Sequence, residues 1–126
     1  MKQVEIDIPL TYVTLKGNLI IPEDATAIVV FSHGSGSSRF STRNRMVAEL
    51  LQKQKIGTLL FDLLTVEEES VYENRFNIDL LVSRLIESTE WLMSYNEVKD
   101  LPIGYFGSST GAASALRAAV YFGDTI

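Results

Sequence analysis

Three short stretches of this sequence are apolar at nearly every position, and they constrain the fold more than any other feature. They span Ala27–Phe31, Gly57–Leu63 and Pro102–Phe106. A strand with one face in water alternates apolar and polar residues, so strands without alternation are buried on both faces. Such strands are typical of a parallel sheet covered by helices, and the sequence therefore predicts an α/β fold.

The start of the chain carries a different pattern. Val4, Ile6 and Ile8 alternate with polar residues, which predicts a strand with one buried face. A second run, from Tyr12 to Ile21, lies close enough in sequence to pair with the first as an antiparallel hairpin. Gly17 interrupts this second run and predicts a β-bulge there.

A helical pattern follows the first apolar stretch. This helix is predicted to begin after Ser41 as its N-cap and to be stopped by Gly57. Lysines near its end suit the negative end of the helix dipole. Its expected buried face consists of Met46, Val47, Leu50 and Leu51.

Two further helices are predicted later in the chain. The first has polar residues, Arg84 among them, on its outer face, and a third, alanine-rich helix runs from about Ser109 to Tyr121 before Gly123. Between these patterns, the acidic segment Thr65–Phe76 is unpatterned, which predicts a loop with a solvated face rather than a cation site. The apolar stripe of the first of these helices consists of Ile78, Leu81, Val82, Leu85, Leu92 and Met93.

These elements predict one α/β domain over residues 1–126: a mostly parallel sheet with an N-terminal antiparallel hairpin and helices on both faces. The net charge of -5, without a basic cluster, argues against nucleic acid as a partner. No apolar run approaches the roughly 20 residues of a membrane span, and Met1–Asp7 does not form a signal peptide. A cytoplasmic location without membrane association is therefore expected. The lack of cysteine excludes thiol nucleophiles and Cys-ligated metals, and no metal site is predicted.

Residues 107–111, Gly-Ser-Ser-Thr-Gly, fit the pattern G-x-S-x-G and lie between the third apolar stretch and the last helix. In that context a sharp strand-to-helix turn lifts the middle serine, Ser109, above the sheet. The amide of Thr110 and the start of the helix then face the space where negative charge develops on an attacked carbonyl. The pattern predicts Ser109 as a nucleophile, and the alternative is a small-residue turn that only lets the helix pack closely.

The residues from His33 to Ser38, which follow the first apolar stretch, are small apart from the histidine. A loop of small residues lets its backbone approach a ligand closely. A nucleotide-binding glycine loop is the alternative interpretation, but Arg39 stands where that fingerprint needs glycine. Asp62 also lies further along the chain than the acidic residue of the fingerprint.

The chain resembles the α/β-hydrolase superfamily, in particular its dienelactone-hydrolase-like branch. The resemblance covers nearly the whole chain through the segments LKGNL (15–19), HGSGSSR (33–39), RNR (43–45), TLLFDLLT (58–65) and PIGYFGSSTG (102–111). It implies hydrolysis of a small-molecule ester, lactone or thioester through an acyl-enzyme, with no metal or organic cofactor. It also implies Ser109 as the nucleophile, with the amides of Ser35, next to Gly34, and of Thr110 as the oxyanion hole. Dienelactone hydrolases often have cysteine at the nucleophile position, where this chain has serine.

In this family the catalytic residues follow one another along the chain in the order nucleophile, acid and histidine. The acid and the histidine lie on loops beyond the helix that follows the nucleophile. Because this chain ends at Ile126, it is expected to be the N-terminal portion of a hydrolase domain or a naturally shortened relative, and to show weak esterase activity at most. A surrogate triad of Ser109, His33 and Asp62 is one interpretation, since the strands that precede them are neighbours in the family sheet. The pattern favours a histidine that holds its own loop by hydrogen bonds.

A non-catalytic scaffold is the alternative function. In the family sheet order, strand 102–107 would be left as an apolar edge, and such an edge invites pairing with another copy of the chain. Arg39, Arg43 and Arg45 form a local group of positive charges near the expected site. They would attract an anionic substrate or, as the pattern favours, simply be exposed to water at the start of a helix.

Overall fold

One mixed sheet of five strands, with helices on both of its faces, forms the fold in the computed structural model of the chain, which describes residues 1–126. The strands are β1 (Lys2–Pro9), β2 (Thr14–Ile21), β3 (Ala27–Ser32), β4 (Ile56–Phe61) and β5 (Ile103–Gly107). The α-helices are α1 (Thr42–Lys53), α2 (Val66–Glu69), α3 (Ile78–Met93) and α4 (Thr110–Phe122). Two short 3-10 helices span Tyr72–Phe76 and Gly123–Thr125.

The strand order β1-β2-β4-β3-β5 confirms the predicted hairpin followed by a parallel sheet. β2 is antiparallel to both of its neighbours, whereas β4, β3 and β5 run parallel to one another. Phe31 of β3 lies opposite Leu60 of β4 and Phe106 of β5, so the three parallel strands end at the same level. The segments that follow these strands therefore meet at one end of the sheet, where sites form in open α/β folds.

Both faces of the sheet are covered, which confirms the predicted α/β architecture. The larger core lies between the sheet and the helices α3 and α4, and it includes Leu19, Leu59, Leu85, Leu92 and Ala118. A smaller cluster of Phe31, Ala48 and Leu60 lies under α1 on the opposite face. Removal of this apolar surface from water is the main term that favours folding. None of the helices has both the length and the apolar character needed to cross a lipid bilayer.

The predicted bulge at Gly17 is wrong. Gly17 lies in regular register opposite Ile6 of β1 and Phe61 of β4. A Cβ at this position would lie 3.2 Å from Cβ of Phe61 and 3.3 Å from Cγ1 of Ile6. Glycine stands here because core side chains from both neighbouring strands fill the space that its own side chain would need.

Helix α1 begins as predicted, and two of the four residues predicted as buried, Val47 and Leu51, pack against the smaller cluster, but the centre of the buried face lies elsewhere. The Ser41 hydroxyl accepts a hydrogen bond from the Asn44 amide at 3.2 Å, which confirms the N-cap. Met46 and Leu50, predicted as buried, are exposed, whereas Asn44 and Ala48 are buried. Ala48 lets the helix come close to the bulky side chains of β3 and β4, and this close contact decides which face is buried.

The end of α1 also differs from the prediction. The helix ends at Lys53, and Lys55 takes a left-handed conformation with φ 64°, which glycine adopts more readily. Gly57 lies inside β4 instead, where a Cβ would be 3.3 Å from the carbonyl oxygen of Ile20. Gly57 therefore allows strands to pack and does not stop the helix.

Residues 65–76, predicted as a loop, fold into α2 and the 3-10 helix that follows it. A capping box starts α2: the Thr65 hydroxyl accepts from the Glu68 amide at 3.2 Å, and the Glu68 carboxylate accepts from the Thr65 amide at 3.0 Å. Arg84 of α3, predicted on the outer face, is only 7% exposed and donates to both carboxylate oxygens of Glu68, with an Nη1–Oε1 distance of 2.6 Å. Periodicity missed the burial of Arg84 because the ion pair joins segments that are separate in sequence, and it missed α2 because a four-residue helix is too short to show an apolar period.

We expect the Glu68–Arg84 pair to make the stability of the fold depend on pH. The hydrogen bond from Arg84 lowers the pKa of Glu68 from 4.5 to about 2. Because the folded state has the lower pKa, the stabilisation is fully present above pH 4.5 and is lost as the pH falls towards 2. Glu68→Gln keeps the capping geometry but leaves the buried Arg84 charge unpaired, and it should lower the free energy of unfolding by about 3 kcal/mol at neutral pH.

Urea unfolding at neutral pH and at a pH near 2 measures how much the ion pair stabilises the fold in each condition. Glu67→Gln changes the same charge at an exposed neighbouring position and serves as the control, with little expected effect. The difference in the free energy of unfolding between wild type and Glu68→Gln should become smaller at acidic pH. A gap that is the same at both pH values would contradict the assigned role of the ion pair.

Candidate active site

Ser109 lies at the junction of β5 and α4, where the chain turns sharply. β5 ends at Gly107 and α4 begins at Thr110, so only Ser108 and Ser109 connect the two elements. Ser109 has φ 56° and ψ −127°, a conformation that residues other than glycine adopt only at an energetic cost. The residue is exposed, and its side chain does not cap the helix. The junction therefore presents a serine whose hydroxyl is not used to stabilise α4.

The two glycines of the motif stand where no side chain fits. A Cβ on Gly107 would lie 2.6 Å from the carbonyl oxygen of Gly111, and one on Gly111 would lie 2.0 Å from the carbonyl oxygen of Ser32. The first turn of α4 thus rests directly on the end of β3. Close packing explains both glycines, but it does not explain why the strained position between them is serine rather than a third glycine.

The loop after β3 brings its backbone beside Ser109. A Cβ on Gly34 would lie 3.1 Å from Cβ of Ser109 and 3.8 Å from its Oγ. The loop then turns tightly, since the Ser37 amide donates to the Gly34 carbonyl at 3.0 Å and Gly36 has φ 75°. Because α1 begins only at Thr42, this glycine loop does not open directly into a helix, as a dinucleotide-binding loop does.

Ser35 and Thr110, the residues predicted to supply the oxyanion hole, line one small cavity together with Gly34. The cavity has a volume of about 10 Å³, close to the space that a single water-sized group occupies. The backbone amides of Ser35 and Thr110 donate no hydrogen bond within the protein. The structure thus brings these residues together around a space for about one oxygen atom, and Ser109, which directly precedes Thr110, is not itself among the residues that line this space.

His33 is buried, and both of its ring nitrogens are engaged. Nδ1 lies 2.9 Å from the Gly34 carbonyl oxygen and donates to it, while Nε2 accepts from the Leu63 amide at 3.0 Å. The ring thereby ties the start of the loop after β3 to the segment after β4. Since no ring nitrogen remains to take a proton from Ser109, the surrogate triad does not form, and the predicted loop-holding role is confirmed.

Asp62 makes its contacts with Arg39 and not with His33. Its Oδ1 accepts from the backbone amide of Arg39 at 2.8 Å, and its Oδ2 pairs with the Arg39 guanidinium. This pair ties the far end of the loop after β3 to the end of β4. Arg43 and Arg45 are exposed on the first turn of α1, in agreement with the expected solvated helix start, and Arg45 also lines a pocket together with Arg39.

Two side chains that the sequence pattern does not mark also line the small cavity. They are Glu69, at the end of α2, and Arg75, in the 3-10 helix that follows. Arg75 Nε donates to the Glu69 carbonyl oxygen at 3.1 Å and lies 2.8 Å from Oε1 of the same residue. The one available sequence signal was the T-x-x-E pattern at Thr65 and Glu68, which marks a helix start but not its position beside Ser109.

Proteins similar to this chain over nearly its whole length include the following three. A Mycobacterium tuberculosis protein, whose name assigns it provisionally to the phosphoribosyl transferases, is 52% identical over 119 residues, which are 94% of this chain and 27% of that protein. A dienelactone hydrolase of Anabaena variabilis superposes with a TM-score of 0.91 at 50% identity, over 95% of this chain and 57% of that chain. An esterase of Pyrococcus furiosus superposes with a TM-score of 0.72 at 26% identity, over 92% of this chain and 45% of that chain.

The matches leave much of each similar protein uncovered. This chain spans 27% of the curated M. tuberculosis relative and little more than half of the Anabaena structure. No protein-family profile matches the chain. The two solved structures nevertheless share the arrangement of strands and helices described above.

Relief of the backbone strain at residue 109 should be measurable. Glycine adopts a positive φ at little cost, whereas alanine does not. We expect Ser109→Gly to raise the free energy of unfolding by about 1 kcal/mol, and Ser109→Ala to change it by less than about 0.5 kcal/mol. Both variants lack the hydroxyl, so alanine is the matched control. Equal stability of the two variants in urea unfolding would show that this backbone is not strained in solution.

Proposed function

We propose that this chain, which has the α/β-hydrolase fold and resembles the dienelactone-hydrolase branch of that superfamily, carries the nucleophile and the oxyanion hole of a serine hydrolase. Its substrates are small-molecule esters, lactones or thioesters. The main support is the strained, exposed Ser109, which lies against Gly34 and directly before Thr110, two residues that line a water-sized cavity together with Ser35. The dienelactone hydrolase and the esterase among the similar structures are named for the same class of bond.

In the proposed reaction, Oγ of Ser109 attacks the carbonyl carbon of the substrate and loses its proton to a base. The carbonyl oxygen becomes an oxyanion and accepts hydrogen bonds from the amides of Ser35 and Thr110 in the cavity, where the N-terminus of α4 adds positive potential. Collapse of the tetrahedral intermediate expels the alcohol or thiol, which takes up a proton, and leaves an acyl ester on Ser109. Water then attacks this ester and releases the carboxylic acid.

His33 is not the base in this proposal, because hydrogen bonds occupy both of its nitrogens. Rapid turnover therefore depends on a base from outside residues 1–126, as the family resemblance implies. The described residues alone support slow reaction with activated acyl or phosphonyl groups. Hydrolases without a working triad keep a rate enhancement on the order of 10³-fold over water from the oxyanion hole and substrate binding.

The transferase name of the M. tuberculosis relative gives no support for phosphoribosyl transfer by this segment. The matched residues make up 27% of that protein, so most of the chain that carries the name lies outside the match. The similar solved structures are hydrolases over this same segment. Hydrolysis is therefore the function that the combined observations favour.

Labelling with a fluorophosphonate tests whether Ser109 is a nucleophile. The serine oxygen bonds to phosphorus, fluoride leaves, and the product imitates the tetrahedral intermediate. We expect slow labelling of the 126-residue chain at a single site, complete loss of labelling in Ser109→Ala, and retained labelling in the adjacent control Ser108→Ala. Intact-protein mass spectrometry follows the labelled fraction with time. Labelling that persists in Ser109→Ala, or none in the wild type even at alkaline pH, would rule out the proposal.

The free edge of β5 favours a second candidate function, a scaffold that assembles with another copy of the chain. β5 pairs only with β3, and its sequence IGYFG contains no charged residue. The opposite edge strand, β1, has the sequence KQVEIDIP, whose charges discourage the addition of a further strand. A mostly apolar groove of about 450 Å³ runs beside β5 and is lined by Tyr105, Ala112 and Leu116. We propose that two copies of the chain pair through their β5 edges.

Gly104→Lys tests this edge at little cost to the fold. The only atom within 4 Å of a Cβ at Gly104 is Cγ2 of Val29, at 4.0 Å, so a lysine side chain has room. We expect the wild-type chain to be dimeric and Gly104→Lys to be monomeric in size-exclusion chromatography with light scattering. Gln3→Lys adds the same charge at the β1 edge and should leave the dimer intact. A monomeric wild type at high micromolar concentration would exclude assembly through β5.

A further inference from the structure

Arg75 lines the same cavity as Ser35 and Thr110, the residues whose amides are proposed to bind the oxyanion. The cavity is bounded by Ser35 and Thr110 and also by Glu69 and Arg75. The cavity is small, with a volume of about 10 Å³, so the residues that line it lie near one another. The interaction of two charges grows as their separation and the local dielectric constant fall, so a guanidinium at this cavity attracts an oxyanion formed there.

The Arg75 side chain is held in place by its own segment. Its Nε donates to the carbonyl oxygen of Glu69 at 3.1 Å and lies 2.8 Å from Oε1 of that residue. Its guanidinium carbon also lies 5.8 Å from the centre of the Tyr72 ring. These contacts fix the guanidinium beside the cavity before any substrate arrives, and pre-arranged charge is what stabilises a transition state effectively.

The segment that carries Arg75 is itself anchored to the core. Glu68, next to Glu69 in the chain, pairs with the buried Arg84 of α3, and the Asn74 side-chain amide donates to the Glu68 carbonyl oxygen at 3.0 Å. Each of the two anchoring residues, Glu68 and Asn74, directly precedes one member of the cavity-lining pair in the sequence. The segment that carries Arg75 is therefore tied to α3 by the part-buried Glu68–Arg84 ion pair.

The terminal N–H groups of Arg75 remain free. Only Nε is bonded within the protein, whereas Nη1 and Nη2 donate to no protein acceptor. The side chain is 34% exposed, so these groups face partly towards water. A planar guanidinium with two unused nitrogens is well suited to bind an anionic oxygen.

We infer that Arg75 is a third group, besides the two amides, that stabilises the oxyanion formed when Ser109 attacks a carbonyl or phosphonyl centre. This inference rests on the proposed function and adds a residue from a segment that follows β4. Glu69 orients the guanidinium through Nε, but its negative charge opposes the oxyanion. The two side chains should therefore affect the reactivity of Ser109 in opposite directions.

The second-order rate constant for fluorophosphonate labelling of Ser109 in the 126-residue chain tests this inference. We expect Arg75→Gln to lower the rate constant about tenfold and Arg75→Lys, which keeps the charge, to lower it less. Glu69→Gln keeps the backbone carbonyl contact but removes the opposing charge, and it should raise the rate constant a few-fold. Arg117→Gln removes an exposed arginine that is paired with Asp79 on the surface, and it should leave the rate constant unchanged.

The outcomes separate an electrostatic role from a structural one. Opposite effects of Arg75→Gln and Glu69→Gln, both weakened by added salt, support the inference. Equal decreases in the two variants would mean that the pair only holds the segment in place, and an Arg75→Gln rate equal to that of Arg117→Gln would also overturn the inference. If Ser109 is unlabelled in the wild type, the proposed function fails and the role of Arg75 fails with it. If the wild type is labelled but substitution of Arg75 does not change the rate constant, only the role of Arg75 is overturned and the proposed function stands.

Discussion

The close approach of α4 to the end of β3 is the constraint on which the candidate site depends. The first turn of the helix lies so near the Ser32 carbonyl that a Cβ on Gly111 would overlap with it. This contact places the strained Ser109 directly beside the loop that begins at His33, and it brings Ser35 and Thr110 to the same small cavity. A single methyl group at Gly111 would push these elements apart, because the atoms that it would meet belong to the backbone.

Polar side chains at the strand ends are used to hold this arrangement rather than to carry out chemistry. His33 joins the loop after β3 to the Leu63 amide, and Asp62 joins the same loop through Arg39. Each tie satisfies polar groups that would be costly to leave unpaired in a shielded site. The single imidazole of the chain is therefore a structural element and does not serve the proposed nucleophile as a base.

Local patterns in the sequence predicted the strands, the hairpin, the principal helices and the strand-to-helix turn at Ser109. These predictions succeeded because apolar periodicity, caps and glycine positions report on neighbours within a few residues. The same reasoning was wrong for Gly17, for the buried face of α1 and for the outer placement of Arg84. In each case the deciding neighbour was remote in sequence: a core side chain of another strand, the surface of the sheet, or the carboxylate of Glu68.

The sequence by itself therefore determined the α/β framework and the serine that its turn presents, because both follow from short-range spacing along the chain. Only the tertiary structure decided what surrounds that serine. In it, hydrogen bonds occupy both ring nitrogens of His33, Asp62 pairs with Arg39, and Arg75 lines the cavity. The physical reason is that hydrogen bonds and ion pairs between remote segments depend on distances in space, which the order of residues does not contain.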